Sequence, residues 1–133
     1  MKILLAYLGA AVAFIVLDAI WLGIVAKKFY FTQLAGLLRD KPDLGVAAGF
    51  YAIYLAGIVY FAIMPALAGG ELGRAILNGA LLGFFGYMTY DATNLATLKG
   101  YPAVLAVVDV TWGTFLTAAA AGAGFLAAQR FAS

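Results

Sequence analysis

The chain has 133 residues, 66% of them hydrophobic and 11% charged, with a formal net charge of +2 and neither cysteine nor histidine. That composition excludes a soluble globular domain, in which about half of the residues are apolar and about a quarter charged, and the small charge, set at helix ends, gives no footing for nucleic acid. With its single serine, Ser133, at the last position, the sequence also excludes disulfides, Cys/His zinc and iron–sulfur sites, histidine-ligated haem and Ser, Cys or His catalysis.

Four apolar helices are predicted in chain order, over residues 3–25, 44–67, 73–98 and 102–128. Each has about 20 residues or more, enough to cross ~30 Å of hydrocarbon. The first opens like a signal peptide, with Lys2 before an apolar run, but that run continues through Val25, too long for a signal h-region, so it is expected to remain as a span. The first connection, 26–43, holds Lys27, Lys28, Arg39, Asp40 and Lys41; Leu34, Leu37 and Leu38 share a helical face there, which predicts a short interfacial helix ended by Asp40-Lys41-Pro42. The second connection is the glycine-rich stretch 68–72, and the third is 99–101, with Pro102 opening the last helix. The expected fold is all-α, an integral membrane four-helix bundle forming a single transmembrane domain over 1–133. Lys27, Lys28, Arg39, Lys41 and Lys99 outnumber Lys2, Arg74 and Arg130 on the opposite side, which puts the first and third connections in the cytoplasm and both termini outside.

The third helix is the least apolar. Placed at 100° per residue, Tyr87, Thr89, Tyr90, Asp91, Thr93, Asn94 and Thr97 fill an arc of roughly 200°. Unpartnered polar groups cost several kcal/mol in hydrocarbon, so this helix is expected to be surrounded by its neighbours.

Three acids lie inside the predicted spans: Asp18, Asp91 and Asp109. Counted from Lys27 and Lys99 at the boundary, all three sit ~12–15 Å deep, on three different helices. A carboxylate near mid-membrane costs ~3 kcal/mol or more unless paired, hydrated or protonated. One shared polar site is the economical arrangement, with Asp91 at its centre, Asp18, Asp109 and Asn94 beside it, and Tyr87 and Tyr90 as hydrogen-bond partners. No Lys or Arg lies at that depth, so at least one carboxyl is expected to be protonated, or a bound cation supplies the charge. The plainer alternative is that neutral acids bond helix to helix. Trp21 and Trp112 each follow an acid by three residues and share its face; an indole beside a carboxylate suits a flat or cationic guest, and tryptophan also simply fills volume or marks the interface. On the second helix Tyr51, Tyr54 and Phe61 share a face and offer phenols to the acids or to plain aromatic packing. Gly45-x-x-x-Gly49 and Gly79-x-x-x-Gly83 have the spacing that permits close helix approach.

Taken together, Leu17-Asp18-Ala19-Ile20-Trp21-Leu22-Gly23, Phe50-Tyr51-x-x-Tyr54, Tyr90-Asp91-x-Thr93-Asn94-Leu95-Ala96-Thr97-Leu98-Lys99-Gly100 and Asp109-x-x-Trp112-Gly113 resemble a bacterial family of small four-span predicted membrane proteins known only as a domain of unknown function. The resemblance covers nearly the whole chain. It implies the bacterial inner membrane and brings no activity, ligand or cofactor.

Three readings stay open. The first is binding or transport of a small solute or cation at a site of Asp18, Asp91, Asn94, Asp109, Tyr51, Tyr54, Tyr87, Tyr90 and Trp112, with a homo-oligomer needed to line a transport path. The second is an enzyme acting on a lipid or isoprenoid, which predicts an apolar groove leading from the bilayer to Asp91. The third is an accessory subunit whose acids are interhelical glue. None calls for a metal or a cofactor, and the lipid bilayer is the partner common to all three.

Overall fold

The computed structural model describes residues 1–39 and 41–132. These form helices α1 (Lys2–Ile20), α2 (Lys27–Gln33), α3 (Leu44–Gly57), α4 (Met64–Gly69), α5 (Leu72–Thr97) and α6 (Ala103–Phe131), with no strand among the described residues. Two wider, π-helical turns extend the rods: Trp21–Val25 prolongs α1, and Ile58–Ile63 joins α3 to α4. The second has a local cause. Pro65 has no N–H to return to the carbonyl four residues before it, so the ladder loosens in the turn that precedes it. In the first, the Ala26 N–H reaches back five residues to the Trp21 carbonyl, 2.7 Å away. Chain reversals fall where a left-handed backbone is needed, at Gly70 (φ 69°) and Gly100 (φ 76°). Asp43 caps α3 by accepting the Val46 N–H at 3.1 Å.

Four rods pack side by side. Lys2–Val25, Leu44–Gly69 and Ala103–Phe131 are long and apolar enough to cross a membrane; α5, with 26 residues, matches them in length but carries Arg74, Asn78, Asp91 and Asn94. The central rod is α6, flanked along its length by α1 and α5. Lipid tails are as apolar as leucine, so hydrophobicity alone does not hold such rods together; close backbone packing between small residues does. A Cβ added at Gly79 would lie 2.7 Å from the Ala121 Cβ, and one added at Gly9 would lie 2.7 Å from the Ala127 Cβ. The buried core follows these contacts: Ala6, Ala10 and Phe14 of α1, Ile58, Ala62 and Ile63 of the second rod, and Leu116, Ala120, Ala121 and Phe125 of α6.

Three expectations are corrected. The lower part of α5 is not enclosed. Thr89, Thr93 and Thr97 are exposed, and each hydroxyl donates to the carbonyl one turn back, on Phe85, Thr89 and Thr93 respectively. Satisfied by their own helix, they need no neighbours. Helix α2, in the connection expected to hold an interfacial helix, ends at Gln33, before Leu37 and Leu38, both of which are exposed. Phe29 and Tyr30 of α2, with Leu34 just beyond its end, pack against Tyr101, Leu105 and Ala106, and Asp40 of the expected terminator lies outside the described residues. Phe61 points outward, because the buried face of the second rod runs through Leu55, Ile58, Val59, Ala62 and Ile63.

Candidate functional site

Asp18, Asp91 and Asp109 each accept a tyrosine hydroxyl from another part of the chain. Asp18 on α1 accepts Tyr51 on its Oδ2 and the Trp112 indole N–H on its Oδ1, the latter at 3.1 Å. Asp109 on α6 accepts the Tyr30 hydroxyl on its Oδ1 at 2.8 Å, and Tyr30 in turn accepts the Trp21 indole N–H at 3.2 Å. Asp91 on α5 accepts the Tyr101 hydroxyl on its Oδ1 at 2.6 Å. The reason is physical. A phenol donates one strong hydrogen bond while its ring packs like a hydrocarbon, so it can serve a carboxyl in a site with little water.

The pairs are joined. Trp21 and Trp112 stack face to face, with centroids 4.4 Å apart and planes within 8° of parallel. Through this stack the Asp18 pair meets the Tyr30–Asp109 pair. Asp109 also lies against Asp91, so the polar centre runs from Asp18 across the two indoles to Asp109 and on to Asp91. Asn94, half-buried one turn beyond Asp91, stands beside Tyr90 and Tyr101. Among the described residues no Lys or Arg is ion-paired with any of the three acids; Arg39 with Asp43, both outside the spans, is the ion pair that forms.

Tyr30 and Tyr101 are the members of this polar centre that sequence reasoning missed. Both lie outside the four predicted spans, Tyr30 in the short helix α2 and Tyr101 in the α5–α6 connection, where the periodicity of a span does not flag an inward-facing residue. The available signal was chemical: each is a phenol near the end of a predicted span, and the buried acids need donors. Burial pushes both phenols above their ordinary value, and the carboxyl each one donates to adds to the effect. Both therefore stay neutral donors through the physiological range.

A cavity of about 430 Å³ opens between α3, α5 and α6, lined by Phe50, Tyr54, Gly86, Tyr87, Tyr90 and Asp109. It exists because α3 leans on α1 rather than on α5, leaving the Tyr54 ring 3.7 Å from where a Cβ on Gly86 would stand. Tyr54 packs edge-on to Tyr87 at 6.4 Å and lies flat against Phe50 at 5.4 Å. Its hydroxyl shares a 2.8 Å hydrogen bond with Thr117, which is fully buried. Thr117→Val is expected to destabilise the protein by about 1 kcal/mol, since one neutral hydrogen bond is lost while the site keeps its volume; unfolding in mixed detergent measures it. Of the site residues expected from sequence, Tyr54, Tyr87, Tyr90 and Asp109 line this cavity. Asp18, Tyr51 and Trp112 form an adjoining, largely buried cluster. Asp91 and Asn94 stand behind Asp109 on the side of Tyr101.

A second, shallower groove of about 340 Å³ runs along the outer face of α5 and α6, past Phe84, Met88, Leu95, Ala106 and Val107, with Asp91 in its floor. Asp91 has 0% exposure, so the groove offers an apolar surface rather than a reachable carboxyl.

The fold and this polar centre define an all-helical membrane protein with carboxyl groups held between its rods. Residues 3–126 match the model of the family described as predicted membrane protein DUF2177, and the chain belongs to that family of unknown function. No curated protein and no solved structure matches the chain.

Proposed function

We propose that the protein binds a small organic cation in the cavity between α3, α5 and α6. The observation that carries this reading is the composition of the wall: four aromatic rings, Phe50, Tyr54, Tyr87 and Tyr90, around one carboxyl, Asp109, with no Lys or Arg ion-paired to it among the described residues. Ring faces attract a cation by about 0.5–2 kcal/mol each, most strongly where water is excluded, and the carboxylate supplies the full countercharge. The volume suits a small ligand. In this reading α5 is the fourth span, and the basic excess of the first and third connections faces the cytoplasm of a bacterial inner membrane.

The test is calorimetric titration of tetraethylammonium into the protein in nanodiscs. Asp109→Asn is expected to weaken binding by about 2 kcal/mol, near thirtyfold in Kd. Tyr87→Leu is expected to weaken it several-fold, by about 1 kcal/mol. Equal affinity in wild type and Asp109→Asn would refute the reading. Action on a lipid is supported by the outer groove on α5 and α6, but the carboxyl in its floor is buried, whereas Asp109 is partly exposed and reaches the cavity. Accessibility of the acid therefore favours the cation site.

A further inference from the structure

Asp91 carries a feature of the polar centre that the aromatic cavity does not explain. Its Oδ1 accepts Tyr101, whereas its Oδ2 is buried with no donor, and the residue has no exposed surface. An orphaned oxygen of this kind is ordinarily avoided, because its lost hydration is not replaced. The carboxyl of Asp109, from the facing helix, lies beside Asp91: Tyr30, which donates to Asp109, packs in one cluster with Tyr101, which donates to Asp91. Around this pair stand Tyr30 of α2, Tyr90 and Asn94 of α5 and Tyr101 of the α5–α6 connection. Asp18 of α1 lies beyond the stacked indoles, bonded to Tyr51 and Trp112. Tyr30 and Tyr101 each direct their one hydroxyl proton to an Oδ1, on Asp109 and Asp91 respectively. Neither can also supply Asp91 Oδ2.

We propose that Asp91 and Asp109 hold one proton between them, and that a cation entering the cavity at Asp109 displaces it. The proton provides the donor that Asp91 Oδ2 lacks: two facing carboxyls with one proton make a hydrogen bond, whereas two facing carboxylates repel. Exchange leaves the charge of the site unchanged. Before binding, two carboxyls and one proton carry a net single negative charge; afterwards, two carboxylates and a monovalent cation carry the same, and the proton has passed to water. A guest that entered without expelling the proton would change the charge of a site that has little solvent to screen it. This inference rests on the cation-binding reading and adds the proton as the second ligand of the same site.

The test is tetraethylammonium titration of the full chain in nanodiscs, repeated in two buffers of different ionisation heat and at several pH values. Wild type is expected to release one proton per cation bound, with affinity rising about tenfold per pH unit while the pair holds its proton. Asp91→Asn places an amide donor against Asp109 and removes the need for a proton. It is expected to bind tetraethylammonium with no proton release and an affinity that does not vary with pH. The infrared carbonyl band of a protonated carboxyl gives a second readout on wild type alone: it should be present in the free protein and fade as the cation binds. Cation binding without proton release, or with the band unchanged, would overturn the exchange and leave the cation site standing. Failure of wild type to bind the probe at any pH would overturn both.

Discussion

Gly83→Leu is expected to destabilise the bundle by about 3 kcal/mol, at the upper end of what overpacking costs in a packed interior. Gly83 lies at a close backbone contact between α5 and α6. A Cβ there would run into the Gly113 carbonyl and would stand 2.7 Å from the Thr117 Cβ, so backbone as well as side chain blocks it. Neither can yield. The Gly113 carbonyl belongs to the central helix, and Thr117 is tied to Tyr54. The same α5–α6 contact places Tyr87 over Gly113, where an added Cβ would enter the ring, so opening it also disturbs the cavity wall. Gly49→Leu is the control: nothing lies within 4 Å of a Cβ at Gly49, and the change should fall within about 0.5 kcal/mol of wild type. Unfolding in mixed detergent compares the two. Equal tolerance of both variants would mean that α5 and α6 are not in backbone contact.

Asp18→Ala is expected to be of comparable effect, at about 2–4 kcal/mol. The loss is not that of one bond. Asp18 has only 7% exposure and receives two donors, the Tyr51 hydroxyl and the Trp112 indole N–H. Removing the acceptor strands both beside Phe14, which packs edge-on to Tyr51 at 5.2 Å, and each stranded donor costs about 1–3 kcal/mol. Asp18→Asn should behave differently. Its carbonyl still accepts the indole N–H, and the Tyr51 hydroxyl can rotate to accept from the amide, so the loss should stay below about 1 kcal/mol. The same detergent unfolding measures both variants. A costly Asp18→Asn would mean that the charge itself, rather than its accepting geometry, holds α1 to α3 and α6.

The two variants rest on features of unequal visibility in the sequence. Asp18, Asp91 and Asp109 stand out because acids are rare in apolar spans, and the Gly79–Gly83 spacing was visible from the sequence alone. Gly45–Gly49 has the same spacing and faces nothing within the described chain beyond Asp43, so spacing did not reveal which pair meets a neighbour. Tyr51 and Tyr54 are legible as inward phenols, whereas helical spacing puts Phe61 on their face although it points outward, and no periodicity marks Tyr30 or Tyr101. Threonine showed the same limit. Thr89, Thr93 and Thr97 look like a polar face seeking partners, yet their own carbonyls satisfy them, while Thr117, buried and bonded to Tyr54, carried no distinguishing mark.

The sequence by itself determined that this chain is helical and belongs in a bilayer, and that three carboxyls would have to find partners inside it. Those properties are local: apolarity, helix propensity and the solvation of a single side chain are all written along the chain. Only the tertiary structure decided which phenol meets which acid and that Asp109 reaches a cavity while Asp91 is sealed. Tyr30 and Asp109 are 79 residues apart, and their meeting depends on the rotation and height of whole rods. Those are fixed by glycine and alanine contacts along α6, which the polar residues themselves do not encode.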